Sequence, residues 1–181
     1  MRPPDGVRLR NGLERLESYT VHAERLGLEL SSRDLKIDSS IAGANEAAAL
    51  EIPGGERVTR VCRTLLVNGQ SAAWMVDAVP EDVIPAEIIR DRFRPDAMLL
   101  DLLVTEDVPI GFSKLCVDAE LVVPNDEFGD ALELTTPSAA LSLIETMYLV
   151  SGRPAQWSRN VFLPGNLDLH VVRELFETRH L

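Results

Sequence analysis

The chain is short of the residues that build metal centres and disulfide frameworks. Of 181 residues, two are cysteine and three are histidine. Cys62 and Cys116 sit in separate apolar stretches with no second cysteine or histidine at ligand spacing, and His22, His170 and His180 share no motif. That spacing argues against zinc or any other metal, and both thiols are expected to be buried. Positive charge is scarce as well, since 18 Lys+Arg against 29 Asp+Glu leave a net charge of −11. Nucleic-acid-binding domains draw most of their affinity from neutralising phosphates, so this chain is not expected to bind DNA by itself. Nothing approaches the run of about 20 apolar residues that crosses a bilayer, and the first twenty residues lack a hydrophobic signal region and a small-residue cleavage site. A cytoplasmic protein without membrane contact is the expectation. What remains, 45% hydrophobic and 26% charged, is the composition of an ordinary globular domain, with length enough to bury one core.

Residues 1–10 (MRPPDGVRLR) combine two prolines, a glycine and three arginines with little apolar periodicity and read as a linker or chain edge ahead of a domain spanning 11–181. Leu13, Leu16, Tyr19, Val21 and Leu26 recur at helical spacing up to Gly27, which predicts a helix over 11–27. A strand is expected at 28–38 and an alanine-rich helix at 45–52, stopped by Pro53-Gly54-Gly55. Two β-branched runs, 58–67 and 71–79, flank Asn68-Gly69, a strong hairpin signal because both residues tolerate positive φ. Helices follow at 81–93 and 98–103, a strand at 111–122, a helix at 126–134, and a second hairpin, 141–149 and 156–163, around Ser151-Gly152-Arg153-Pro154.

The two hairpins match. Leu66-Val67-Asn68-Gly69 parallels Leu149-Val150-Ser151-Gly152, an offset of 152 − 69 = 83. Trp74 and Trp157 each lie five residues past the glycine, Asp77 and Asn160 eight past it, and both strands run into a proline, Pro80 and Pro164. Upstream, Ala49-Leu50-Glu51-Ile52 resembles Ala131-Leu132-Glu133-Leu134, at 131 − 49 = 82. A duplicated strand–helix–hairpin unit is implied, most simply as one shared sheet with helices packed on one side. Because side chains alternate across a strand, Met75 and Asp77 share a face with Ser158 and Asn160, and Arg63 and Leu65 join them if the hairpin register allows. Trp74 and Trp157 then face the other way, as core beneath helices. The plainer reading of Arg63 and Asp77 is a cross-strand ion pair, of little worth if exposed. Glu145, inside an apolar strand, must be at a rim, paired or functional.

The run Trp74-Met75-Val76-Asp77-Ala78-Val79-Pro80-Glu81-Asp82-Val83-Ile84-Pro85 resembles the middle of the UTRA effector-binding domain of GntR-type (HutC subfamily) transcription regulators. Gly152-Arg153-Pro154, then Ser158, Asn160 and Phe162, then Pro164-Gly165 and His170-Val171-Val172-Arg173, continue the likeness over 11–175. The resemblance implies an α/β (α+β) fold of the chorismate-lyase-like kind, a mainly antiparallel sheet with helices packed on it, forming a homodimer. It further implies that a small-molecule effector in a cleft alters DNA binding by an attached winged helix-turn-helix, which the opening residues here do not resemble.

Members that bind phosphosugars look like Arg-x-Arg on the first hairpin strand, Glu on the second, and Ser-Leu-Tyr near a helix start. Here Arg63 keeps the first arginine, while Leu65, Met75 and Met98-Leu99-Leu100 replace the rest. Losing a second arginine removes a fork of donors matched to phosphate, so a less charged, more apolar effector is expected, with Arg63 still able to hold a carboxylate. The candidate ligand residues are Arg63, Asp77, Met75, Met98, Glu145, Ser158 and Asn160. No cofactor and no catalysis are expected: a chorismate-lyase-like enzyme must fix two carboxylates with cations, and Arg63 is the one clear cation in this set. A dimerisation module without an effector, its cleft filled by Leu65, Met75 and Met98, is the alternative.

Overall fold

Asn68 and Gly69 both take positive φ, 49° and 76°, and the turn they form joins strand β3 (Arg57–Val67) to β4 (Gln70–Pro80). A computed structural model of the chain describes residues 9–12, 14–163 and 165–171. The β3–β4 hairpin belongs to a six-stranded sheet with β2 (Leu30–Ile41), β5 (Ile110–Val122), β6 (Ser138–Leu149) and β7 (Pro154–Phe162). The order is β2-β3-β4-β7-β6-β5 and every pairing is antiparallel. Leu9–Gly12, β1, pairs in parallel with β8, Leu167–His170.

That order is a palindrome of the repeat. Each half supplies an outer strand, a short helix and a hairpin, and the last strands of the two halves, β4 and β7, meet at the centre. Val76 lies opposite Arg159 in their ladder, and 159 − 76 = 83, so a pseudo-twofold axis passes through this pair. Both hairpins carry a one-residue bulge at the same repeat position. The β3–β4 register skips Ala72, and the β6–β7 register skips Ala155. The second turn is one residue longer than the first, which is why the offset between the halves changes from 82 to 83. Leu66 is therefore equivalent to Tyr148 rather than to Leu149.

Helices cover both faces of the sheet, not one. On the first face, α1 (Tyr19–Leu26), α3 (Ala86–Arg92) and α4 (Leu99–Thr105) lie over side chains such as Val61, Val79, Leu65 and Phe162. On the second, α2 (Ala44–Leu50) and α5 (Glu127–Ala131) cover the tryptophans. Trp157 packs with Leu50, Val58 and Ala78, and Trp74 meets Phe128 edge-on at 4.9 Å. Each half's tryptophan thus sits under the other half's helix, so burying the two aromatic rings locks the halves together. A strand buried on one face only would expose these rings. The second layer of helices removes that cost.

Local chemistry corrects several sequence expectations. The helix expected over 11–27 begins only at Tyr19, because the Ser18 hydroxyl caps it by accepting from the Thr20 N–H at 3.1 Å; Leu13 lies outside the described residues. The helix expected at 81–93 starts after Pro85, a residue suited to the first turn of a helix and not to its interior. Residues 126–134 give only Glu127–Ala131, after which Glu133 turns into positive φ. Of the linker expected at 1–10, residues 1–8 are outside the described set, and the rest enters β1. Val172 and Arg173 lie outside it too. Cys62 is half-buried but Cys116, on β5 at the end of the strand order, is exposed.

Candidate ligand-binding site

The β4–β7 ladder sets the floor of the site. Met75 lies opposite Asn160 and Asp77 opposite Ser158, and alternation turns all four side chains onto the first face. Arg63 lies opposite Met75 on β3, and Glu145 opposite Ser158 on β6. Six of the seven sequence-predicted residues therefore converge through register alone. Met98, at the N-terminus of α4, closes over them.

Arg63 and Asp77 do pair, but not at the surface. The Arg63 Nη1 donates to Asp77 Oδ2 at 2.6 Å, and the two side chains are 1% and 5% exposed. The expected ion pair between these strands is present, and being buried it is costly to desolvate and costly to break. The guanidinium lies 5.1 Å from the Phe93 ring centroid, and its Nη2 meets the Met98 sulfur at 3.7 Å. Gln156 Nε2 donates to the remaining Asp77 oxygen at 2.7 Å. Leu65, standing where a second arginine was sought, is wholly buried beside Phe162 in the core and contributes nothing polar.

Above this network lies a cavity of about 470 Å³. All seven residues, Arg63, Met75, Asp77, Met98, Glu145, Ser158 and Asn160, line it. Gln156, Ser113, Leu115 and Met147 also line it, as do residues 14–18 ahead of α1 and Tyr19 at its start; none of these is among the residues the sequence points to. Gln156 was within reach, because stepping back by two from Ser158 keeps the same face. Residues 14–19 carry no such signal, because their apolar spacing reads as helix. One carboxylate oxygen fixes that wall: Asp101 Oδ2 accepts from the Ser18 hydroxyl at 2.9 Å, the Thr20 hydroxyl at 2.8 Å and the Met98 N–H at 2.8 Å.

Three buried polar atoms in the floor have no partner: Arg63 Nε, Gln156 Oε1 and Asn160 Oδ1. Native interiors rarely leave such atoms unsatisfied unless water or a ligand meets them. Burial pushes the Glu145 carboxyl above its ordinary value; a hydrogen bond from Ser113 opposes the shift and the nearby Asp77 charge adds to it. Among the described residues, no three His, Cys, Asp or Glu side chains gather as a metal site, and no helix is long and apolar enough to cross a membrane.

The UTRA domain model matches residues 25–165, most of the chain and the whole six-stranded sheet. The chain belongs to the UTRA domain family. Its fold is also that of solved structures with low identity. The chain superposes on PhnF from Mycobacterium smegmatis with a TM-score of 0.77 at 18% identity, covering 92% of this chain and 72% of that one. On the effector domain of the same protein the TM-score is 0.76, at 18% identity, covering 92% of this chain and 99% of that one. A ligand-binding domain of a putative GntR-family transcriptional regulator from Bordetella bronchiseptica gives 0.63 at 21% identity, with 76% and 84% covered. This UTRA domain therefore shares the architecture of GntR-family effector domains, an antiparallel sheet with packed helices.

Proposed function

We propose that this UTRA domain is the effector-sensing and dimerisation domain of a GntR-type transcription regulator of the HutC subfamily. In this reading it acts in the cytoplasm as a homodimer and controls DNA binding by an attached winged helix-turn-helix. The observation that carries the reading is the cavity itself: the seven converging side chains line space large enough for a metabolite, over a floor in which Gln156 Oε1 and Asn160 Oδ1 are buried without a hydrogen-bond partner. Arg63, Asp77, Met75, Met98, Glu145, Ser158 and Asn160 are the proposed contacts, joined by Gln156. A binding role fits better than catalysis, since the one arginine of the floor among the described residues is neutralised by Asp77 and is not free to stabilise developing charge. The same neutralisation, with Leu65 in the core, disfavours a sugar phosphate.

A ligand seated on this floor touches α4 through Met98 and residues 14–19 directly, and Asp101 ties the two together. Ordering that wall favours one arrangement of whatever precedes it, by no more than the ligand's differential affinity for the two states. A thermal-shift screen against sugar phosphates, free sugars, amines, amino and keto acids, and fatty or aromatic acids tests the reading. A ligand at about 100 times Kd adds roughly 2.7 kcal/mol. Stabilisation by one class, lost in Asn160→Leu, is expected. Silence across every class, repeated at higher concentration, would leave a dimerisation module without an effector.

A further inference from the structure

Resting on the reading of this cavity as an effector site, the geometry points to a ligand that carries a protonated amine, seated against Glu145, with an apolar body. The floor holds two carboxylates and one guanidinium. Arg63 and Asp77 neutralise one another at 2.6 Å, and Gln156 takes the second Asp77 oxygen. Glu145 is left without an ion pair among the described residues, its one hydrogen-bond donor being the neutral Ser113 hydroxyl. The unpartnered amide oxygens have the same sense. Because Gln156 donates its Nε2 to Asp77, its Oε1 is the acceptor left facing away, and Asn160 Oδ1 is likewise an acceptor with nothing to accept.

The floor thus offers acceptors and one uncompensated carboxyl, and a ligand that satisfies them must bring donors. The donors beside them are neutral, the Ser158 hydroxyl and the Asn160 amide N–H groups, apart from Arg63 Nε, which is buried without a partner. An anion has little to gain here, because it would approach Glu145 and Asp77 while the charge of Arg63 is already paired, with neutral donors alone to receive it. Met75, Met98, Met147, Leu99 and Leu115 supply the apolar wall. This revises the expectation that Arg63 holds a carboxylate, since its charge is already spent on Asp77.

Three probes of one shape test the inference: 2-phenylethylamine, 2-phenylethanol and 3-phenylpropanoate, titrated into the whole chain at neutral pH with heats and melting temperature recorded. The amine should bind about tenfold tighter than the alcohol, the advantage of an ion pair over a neutral donor on the same carboxylate, and the carboxylate weakest of all. Glu145→Gln should erase the preference for the amine, with a melting temperature of the ligand-free variant no lower than that of the native chain as the control that it folds. Equal or tighter binding of 3-phenylpropanoate, or an amine preference unchanged in Glu145→Gln, would overturn the inference and leave the effector-site reading standing. Failure of all three probes, together with silence of the metabolite classes, would overturn both. If Glu145→Gln does not fold, the ranking of the three probes on the native chain still decides.

Discussion

Arg63 and Glu145 occupy equivalent places in the two halves of the sheet. Arg63 lies opposite Met75, Glu145 lies opposite Ser158, and Met75 and Ser158 are repeat mates, 158 − 75 = 83. Duplication has therefore placed a base and an acid at symmetric positions either side of the central ladder. They do not neutralise one another. Arg63 turns to Asp77, the central-strand residue whose mate is Asn160, and the asymmetry of those four residues gives the cavity its polarity.

Asp77→Ala should cost about 3–5 kcal/mol in urea unfolding, because it strands the Arg63 guanidinium in the interior. The paired replacement Arg63→Met with Asp77→Leu should recover most of that loss. A single variant as stable as the native chain would mean that the pair is not buried in solution.

Asp101→Ala removes one carboxylate oxygen that accepts from Ser18, Thr20 and Met98. A loss of about 2 kcal/mol is expected, with faster hydrogen exchange at the amides of 18–20 and 98–101 and little change in the central strands. Uniform acceleration across the sheet would contradict the role of Asp101 as a local tie.

The raised Glu145 carboxyl has a definite sign in the pH dependence of stability. With its folded value above the unfolded one, near 4.5, the unfolded chain gives up this proton first. The native state is therefore penalised as pH rises past that value. Native chain and Glu145→Gln should match in stability below it, and the variant should be the more stable at neutral pH. A difference independent of pH would exclude desolvation as its source.

The two thiols should separate kinetically. Cys116 is exposed on the edge strand, whereas Cys62 is half-buried and pushed up to about 11, chiefly by burial, so little thiolate forms at neutral pH. One thiol per chain should react quickly with a disulfide reagent and the second slowly, and Cys116→Ser should abolish the fast phase.

The parts of this site legible in the sequence are those governed by short-range rules. Asn68-Gly69 defines one turn, alternation then places Arg63, Met75 and Asp77 on one face, and the repeat transfers the argument to Ser158 and Asn160. What escaped depends on tertiary context. The burial of Arg63 follows from Phe93 and Met98 arriving from distant helices, and the start of α1 follows from a Ser18 hydroxyl shared between its own helix cap and Asp101. Cys116 reads as core in an apolar run, yet β5 is an outer strand, a fact of sheet order that periodicity does not carry. The second helix layer was likewise implicit in two tryptophans facing away from the cavity, but not in which helices would cover them.

The most direct test of the account is a nitrogen-15 correlation spectrum of the labelled chain, recorded with and without the metabolite class that raises its melting temperature most. The account predicts shifts gathered at the Gln156 and Asn160 side-chain amides and at the backbone of 63, 75–77, 98–100, 113, 145 and 158. Shifts gathered instead on the opposite face, around Trp74, Trp157, α2 and α5, would contradict it.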